Sequence, residues 1–80
     1  MNHDEARTVI ANALRRVAPE ADLDEVRADK ALQDELDLDS MDFLNLMVGI
    51  HEQTGVEVPE RDYPAVAHLQ GLVDYLVAHG

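Results

Sequence analysis

Cysteine is absent from this 80-residue chain, which removes disulfides, thiolate metal sites and cysteine nucleophiles together. No apolar run approaches the length needed to span a bilayer. Basic residues are scarce: 17 acidic side chains stand against 6 basic ones, for a formal charge of -11. That balance excludes nucleic acid as a partner, because phosphates demand basic patches, and it makes a basic protein surface the natural complement. From Ala31 to Glu60 basic residues are missing altogether, while the acids Asp34, Glu35, Asp37, Asp39, Asp42, Glu52, Glu57 and Glu60 all fall there. A charge run of this kind is ordinarily a solubilising face. Its coincidence with one amphipathic helix points to steering of a basic partner as well. Serine is also nearly absent, occurring once, at Ser40.

What is present reads as one small domain over residues 1–80, near the lower size at which a single core suffices without metal or disulfide. The expected fold is all-α: a small four-helix-type bundle of three main helices plus one short helix, with a long loop between the first two main helices. In the first helix Asp4 is the expected cap, and Ala6, Ile10, Ala13, Leu14 and Val17 recur at inward spacing before Pro19 stops it. Between Pro19 and Leu38 the period is lost, but Leu23, Val26, Leu32, Leu36 and Leu38 can anchor the loop on the helices. A second helix is expected from Ser40 to Gln53, with Thr54-Gly55 as a left-handed stop and Pro59 beyond it. A short helical turn over Asp62 to Ala65 and a last helix over Leu69 to Ala78, burying Leu69, Leu72, Val73, Leu76 and Val77, complete the bundle. Ala67 and His68 offer that last helix no strong cap. Met1 to Glu5 is acidic and polar where a secretory signal is basic and then apolar, so the chain is expected to remain in the cytoplasm. No membrane partner is expected, and the chain is expected to be a monomer.

The Ser40 helix has an apolar face wider than one core contact requires. Phe43, Leu46, Met47 and Ile50 make one contiguous inward face, and Met41, Leu44 and Val48 continue it as a ridge fringed by Asp42, Asn45 and Glu52. The ridge either packs under the long loop or docks another protein. At the start of this helix stands Asp37-Leu38-Asp39-Ser40-Met41-Asp42. A hydroxyl on the first turn lies beside unpaired backbone N–H groups and the positive end of the helix dipole, which favours an attached phosphate or phosphodiester. The simpler reading is that Ser40 and Asp39 only cap the helix, a role worth about 1 kcal/mol.

Catalytic and metal readings fail on geometry. A serine nucleophile needs a base within hydrogen-bond reach, and His51 is about three helical turns away, roughly 16 Å along the axis. His3, His68 and His79 read as surface or boundary residues. Asp37-x-Asp39 partly matches a calcium loop, but that loop needs Gly at position 42 and Glu at position 48, where Asp42 and Val48 stand. No metal ligand set is assigned.

Asp39-Ser40-Met41-Asp42, Gly55-Val56-Glu57-Val58-Pro59-Glu60 and Leu72-Val73-Asp74-Tyr75-Leu76 together resemble the acyl carrier protein family, over nearly the whole chain. The family signature is Asp-Ser-Leu followed by an acidic or polar residue, so Met41 is a mild departure. Asp37 stands where the family usually has Gly, and Asp tolerates a left-handed backbone better than most residues, so the turn is expected to survive. The resemblance implies a non-catalytic carrier. A phosphopantetheinyl transferase would move 4′-phosphopantetheine from coenzyme A onto Ser40, and the arm would hold acyl intermediates as thioesters for acyl-transferring, condensing or acyl-activating enzymes of fatty-acid or polyketide type. It also implies partner recognition through Asp39, Met41, Asp42, Leu44, Asn45, Val48, His51 and Glu52, although Asn45 and His51 stand where many members carry acids. An acyl chain is expected to enter an apolar interior lined by Phe43, Leu46, Met47 and Ile50. The competing class is an acidic helical interaction module, never modified on Ser40, that binds a basic partner through the same ridge.

Overall fold

The computed structural model describes residues 1–80, and its regular structure is entirely helical. The order is α1 (His3–Val17), a 3-10 turn (Leu23–Glu25), α2 (Leu32–Glu35), α3 (Ser40–Thr54), a 3-10 helix (Glu60–Val66) and α4 (Leu69–His79). The three long helices and the 3-10 helix form the expected bundle. The connection between α1 and α3 is not one unbroken loop, because two short helical segments interrupt it, each planted by a buried leucine, Leu23 and Leu32.

The cap of α1 is Asn2 rather than Asp4. Asn2 Oδ1 accepts from the Glu5 N–H at 2.8 Å, and Glu5 Oε1 accepts from the Asn2 N–H at 3.1 Å. This reciprocal pairing needs an acid or amide three residues after the cap, and Asp4 would find Arg7 there. At the other end Gly55 takes a left-handed conformation at φ 74° and stops α3 as its position predicts. His68 does cap α4, its Nδ1 accepting from the Gly71 N–H at 2.9 Å, a role that an unprotonated imidazole nitrogen fills as an oxygen would.

The core is made of 18 buried apolar residues and includes no buried polar or charged side chain. Phe43, Leu46, Met47 and Ile50 face inward as their spacing predicts, as do Ala6, Ile10, Ala13 and Leu14. Val17 and Val77 are only half-buried, because each lies at the margin of its helix's inward stripe. Helices α1 and α3 run antiparallel: Gln53 Nε2 donates to the Val9 carbonyl at 3.1 Å, and Ala13 faces Gly49. A Cβ on Gly49 would lie 3.1 Å from that of Ala13, so glycine here is what lets the two helices approach so closely.

The segment before α3 is tied to the start of α4 through backbone. Ala31 and His68 form an isolated antiparallel bridge, Leu32 N–H donates to the Ala67 carbonyl at 2.8 Å, and Gln70 N–H donates to that of Ala28 at 3.1 Å. Leu32 and Leu38 are buried, and Val26 and Leu36 half-buried, so the predicted anchors all reach the helices to some degree. On the far side Tyr75 Oη donates to Asp62 Oδ2 at 3.0 Å and fastens the 3-10 helix to α4. Partial loss of solvation, the hydrogen bond and the negative charge of Asp62 together raise the Tyr75 pKa.

Candidate functional site

The Asp37 to Asp42 segment is two helix ends placed back to back. At the end of α2, Leu38 N–H returns to the Gln33 carbonyl at 2.9 Å, closing the six-residue reversal that ends many helices. That reversal needs a left-handed residue before Leu38, and Asp37 supplies it at φ 54°, the one non-glycine residue in that region. Leu38 then turns inward and is buried. Asp39 caps α3: its Oδ1 accepts from the Asp42 N–H at 2.8 Å, while Asp42 Oδ2 stands 3.4 Å from the Asp39 N–H.

Capping is thus assigned to Asp39, and Ser40 is left as the first residue of α3, exposed. The Asp42 and Phe43 amides bond to Asp39, whereas those of Ser40 and Met41 precede any intrahelical acceptor. Next to the Ser40 hydroxyl there is consequently a local excess of N–H donors and the positive end of a 15-residue helix.

Three large apolar side chains are prominently exposed, and all lie on α3: Met41 at 64%, Leu44 at 42% and Val48 at 47%. They are the predicted ridge, and the loop does not cover them. Asp39, Asn45, His51 and Glu52 are exposed around it, and Asp42 is half-buried by its capping role. The eight candidate partner residues therefore share one helix face or its leading end. One of the acids is not free: Glu52 Oε2 is 2.9 Å from Arg16 Nη1 of α1. The stretch itself has no basic residue, but the close α1–α3 approach brings in a cation from 36 residues away.

The other seven acids of that stretch have no such cationic partner, so their mutual repulsion opposes the folded state. Raising ionic strength from low to moderate should therefore lift the thermal midpoint, by roughly 4–8 °C for each kcal/mol of repulsion screened. Thermal melts followed by circular dichroism check this, and a flat or falling midpoint would mean that the acids are already balanced.

Between α2, α3 and the 3-10 helix lies an open cleft of about 550 Å³ that begins at Ser40 and runs past Gln33, Phe43, Leu44, Glu60 and Tyr63. Phe43 and Tyr63 meet edge to face there, with ring centroids 5.5 Å apart. Leu46 and Ile50 are fully buried in the core, and of the four residues named for the acyl-lining role Phe43 lines this cleft. Gln33, Glu60 and Tyr63 had no periodic signal to reveal them, because they come from short elements that only tertiary packing brings to Ser40.

No histidine is placed to serve Ser40 as a base. His51 Nδ1 lies 3.3 Å from the Val56 carbonyl, His68 caps α4, His3 is 3.7 Å from Asp74, and His79 stacks on Tyr75. Nor does any group of three or more potential ligands come together that could hold a metal ion. No helix is long and apolar enough to cross a membrane. What the site offers chemically is an accessible hydroxyl at a helix start, beside an acid-fringed apolar ridge and an amphipathic cleft. In comparison with known families, the model described as the phosphopantetheine attachment site matches residues 7–76.

Proposed function

This chain belongs to the phosphopantetheine attachment family, and from that premise we propose that it is an acyl carrier protein whose arm is borne by Ser40. The family's cofactor is covalent 4′-phosphopantetheine, and its members meet a phosphopantetheinyl transferase and enzymes that handle acyl groups. The observation that carries the assignment is the position of the only serine: exposed, first in α3, relieved of capping by Asp39, and within the matched segment. In the attachment step the Ser40 oxygen forms a new bond to the phosphorus of the pantetheine phosphate, and the pyrophosphate bond of coenzyme A breaks. Adenosine 3′,5′-bisphosphate leaves. The hydroxyl proton passes to a base of the transferase, the histidines of this chain being engaged elsewhere.

Once installed, the arm ends in a thiol that holds an acyl group as a thioester, and its flexibility presents one intermediate to several active sites at high effective concentration. The carrier supplies position and leaves catalysis to its partners. Residues 1–80 act as a single carrier domain, working as a monomer in the cytoplasm with fatty-acid or polyketide-type enzymes. Incubating the purified protein with coenzyme A and a broad-specificity transferase should add one phosphopantetheinyl group by intact mass. An unmodified product beside a modified control carrier would end this reading. Intact mass of the protein from its native host would then identify the acyl group it carries.

Partner enzymes read the start of α3, through Asp39, Met41, Asp42 and Leu44, with Asn45, Val48, His51 and Glu52 completing the face. Charge brings the partners together and the ridge retains them. Asp42 also takes part in the capping of α3, so reversing it to lysine would disturb the helix start together with the charge. Asp42→Asn keeps an acceptor there and removes only the charge. It should slow association with the transferase by about two- to tenfold at low salt and flatten the salt dependence. Leu44→Ala should instead speed dissociation by about fivefold, as expected for losing part of one buried leucine. Stopped-flow association and dissociation rates separate the two effects, and equal responses in both phases would contradict this division of labour.

A further inference from the structure

We infer that Arg16 is a specificity-determining residue of the docking face, one that engages Glu52 within the chain and confines recognition by basic partners to the Asp39–Asp42 end of α3. The inference rests on the docking-face reading above and adds a residue from a different helix to it. Of the eight acids between Ala31 and Glu60, Glu52 alone has a cation within ion-pair distance, and the Arg16 Nη1 to Glu52 Oε2 separation of 2.9 Å makes it a hydrogen bond as well. The contact follows from the close approach of α1 and α3 at Ala13 and Gly49, which puts the long arginine side chain within reach of α3. Arg16 borders a groove with Asp42, Asn45, Val48 and Glu52, so its guanidinium stands on the flank of the ridge itself.

The electrical consequence is a face with two unlike halves. Toward Ser40 it presents Asp39 and Asp42, neither with a cation within ion-pair distance. Toward the end of α3 it presents an uncharged Asn45 and a Glu52 whose charge is matched by Arg16. A partner basic along the whole helix meets repulsion from Arg16 and a carboxylate already occupied. A partner with its basic residues grouped opposite Asp39 and Asp42 finds both carboxylates unpaired and meets Arg16 only across the groove it shares with Asp42. The pair is exposed, with side-chain accessibilities of 71% and 55%, so it biases the choice and does not lock it. Arg7 pairs instead with Asp24, and Arg15 lines a separate groove with Arg7 and Leu23, so neither duplicates Arg16 on this face.

Modification rates of the unmodified protein by a broad-specificity phosphopantetheinyl transferase test this with Arg16→Gln, Glu52→Gln, the double variant and Asp42→Asn. Arg15→Gln is the control for net charge, and circular dichroism melts establish that each variant is folded. Arg16→Gln should raise kcat/KM by about two- to fivefold at low salt, more than Arg15→Gln does, and the gain should fade as salt is added. Glu52→Gln should lower it, and the double variant should return near wild type, since the two charges removed are each other's partner. An Arg16→Gln rate equal to or below wild type, or no greater than that of Arg15→Gln, overturns the inference. If Asp42→Asn slows the reaction in that case, the docking face stands without Arg16. If Asp42→Asn is silent as well, the face lies elsewhere and both readings fall.

Discussion

Replacing Ser40 with alanine should abolish phosphopantetheinylation entirely while leaving the fold intact. Ser40 is exposed and does not cap α3, so the change removes no buried surface and no capping bond, and alanine is the better helix former. The stability should therefore stay within about 0.5 kcal/mol of wild type, as for most surface substitutions. Chemistry, in contrast, loses its only serine oxygen. Thr8 and Thr54 are the nearest chemical substitutes, and each hydroxyl donates to the carbonyl one turn earlier in its own helix, Thr8 to Asp4 and Thr54 to Ile50. Intact mass after incubation with coenzyme A and a transferase should show one added group on wild type and none on Ser40→Ala. Persistence of the added mass in the alanine variant would place the attachment elsewhere and refute the assignment of Ser40.

A large loss of stability should come from Leu32→Ala. Leu32 is fully buried although it belongs to a four-residue helix in the connection before α3, and its backbone N–H is bonded to Ala67. Truncating a buried leucine removes about 2–5 kcal/mol, from lost burial and from the cavity left behind. In a domain of this size that should lower the thermal midpoint by roughly 8–40 °C. Because α2 and Leu38 set the approach of the chain to Asp39, the same variant should also slow modification of Ser40 when assayed below its midpoint. Melting and modification rates measured on one preparation test both effects. A loss under 1 kcal/mol would show that the segment is not seated on the core as described.

Much of this was legible in the residue order because it depends on local rules. Gly55 could end α3 since only a residue at ease with positive φ closes a helix that way, and Asp37 could occupy a left-handed turn for a related reason. The inward spacing of Phe43, Leu46, Met47 and Ile50 translates directly into a buried stripe, and that of Met41, Leu44 and Val48 into its edge. Asn2 was also accessible in principle, as an amide three residues before a glutamate, whereas Asp4, an equally suitable capping residue type, lacks an acid or amide at that spacing. The cap on α4 was harder, since histidine is rarely a cap and becomes one here because its ring nitrogen meets the Gly71 amide.

The sequence by itself determined the helical class, the single serine at the head of an amphipathic helix, the acid-rich surroundings of that serine and the apolar ridge beside it. Each of these follows from contacts between residues no more than a few positions apart, where backbone geometry decides which side chains share a face. Only the tertiary structure decided that the ridge stays uncovered, that a cleft opens at Ser40, and that Arg16 reaches Glu52. Those outcomes depend on how α1, α2 and the 3-10 helix are laid against α3. Side chains distant in the chain met there because Gly49 lets α1 in and Leu32 holds the connection down. No period within a single segment encodes such meetings, because they are set by the shared core of all the helices together.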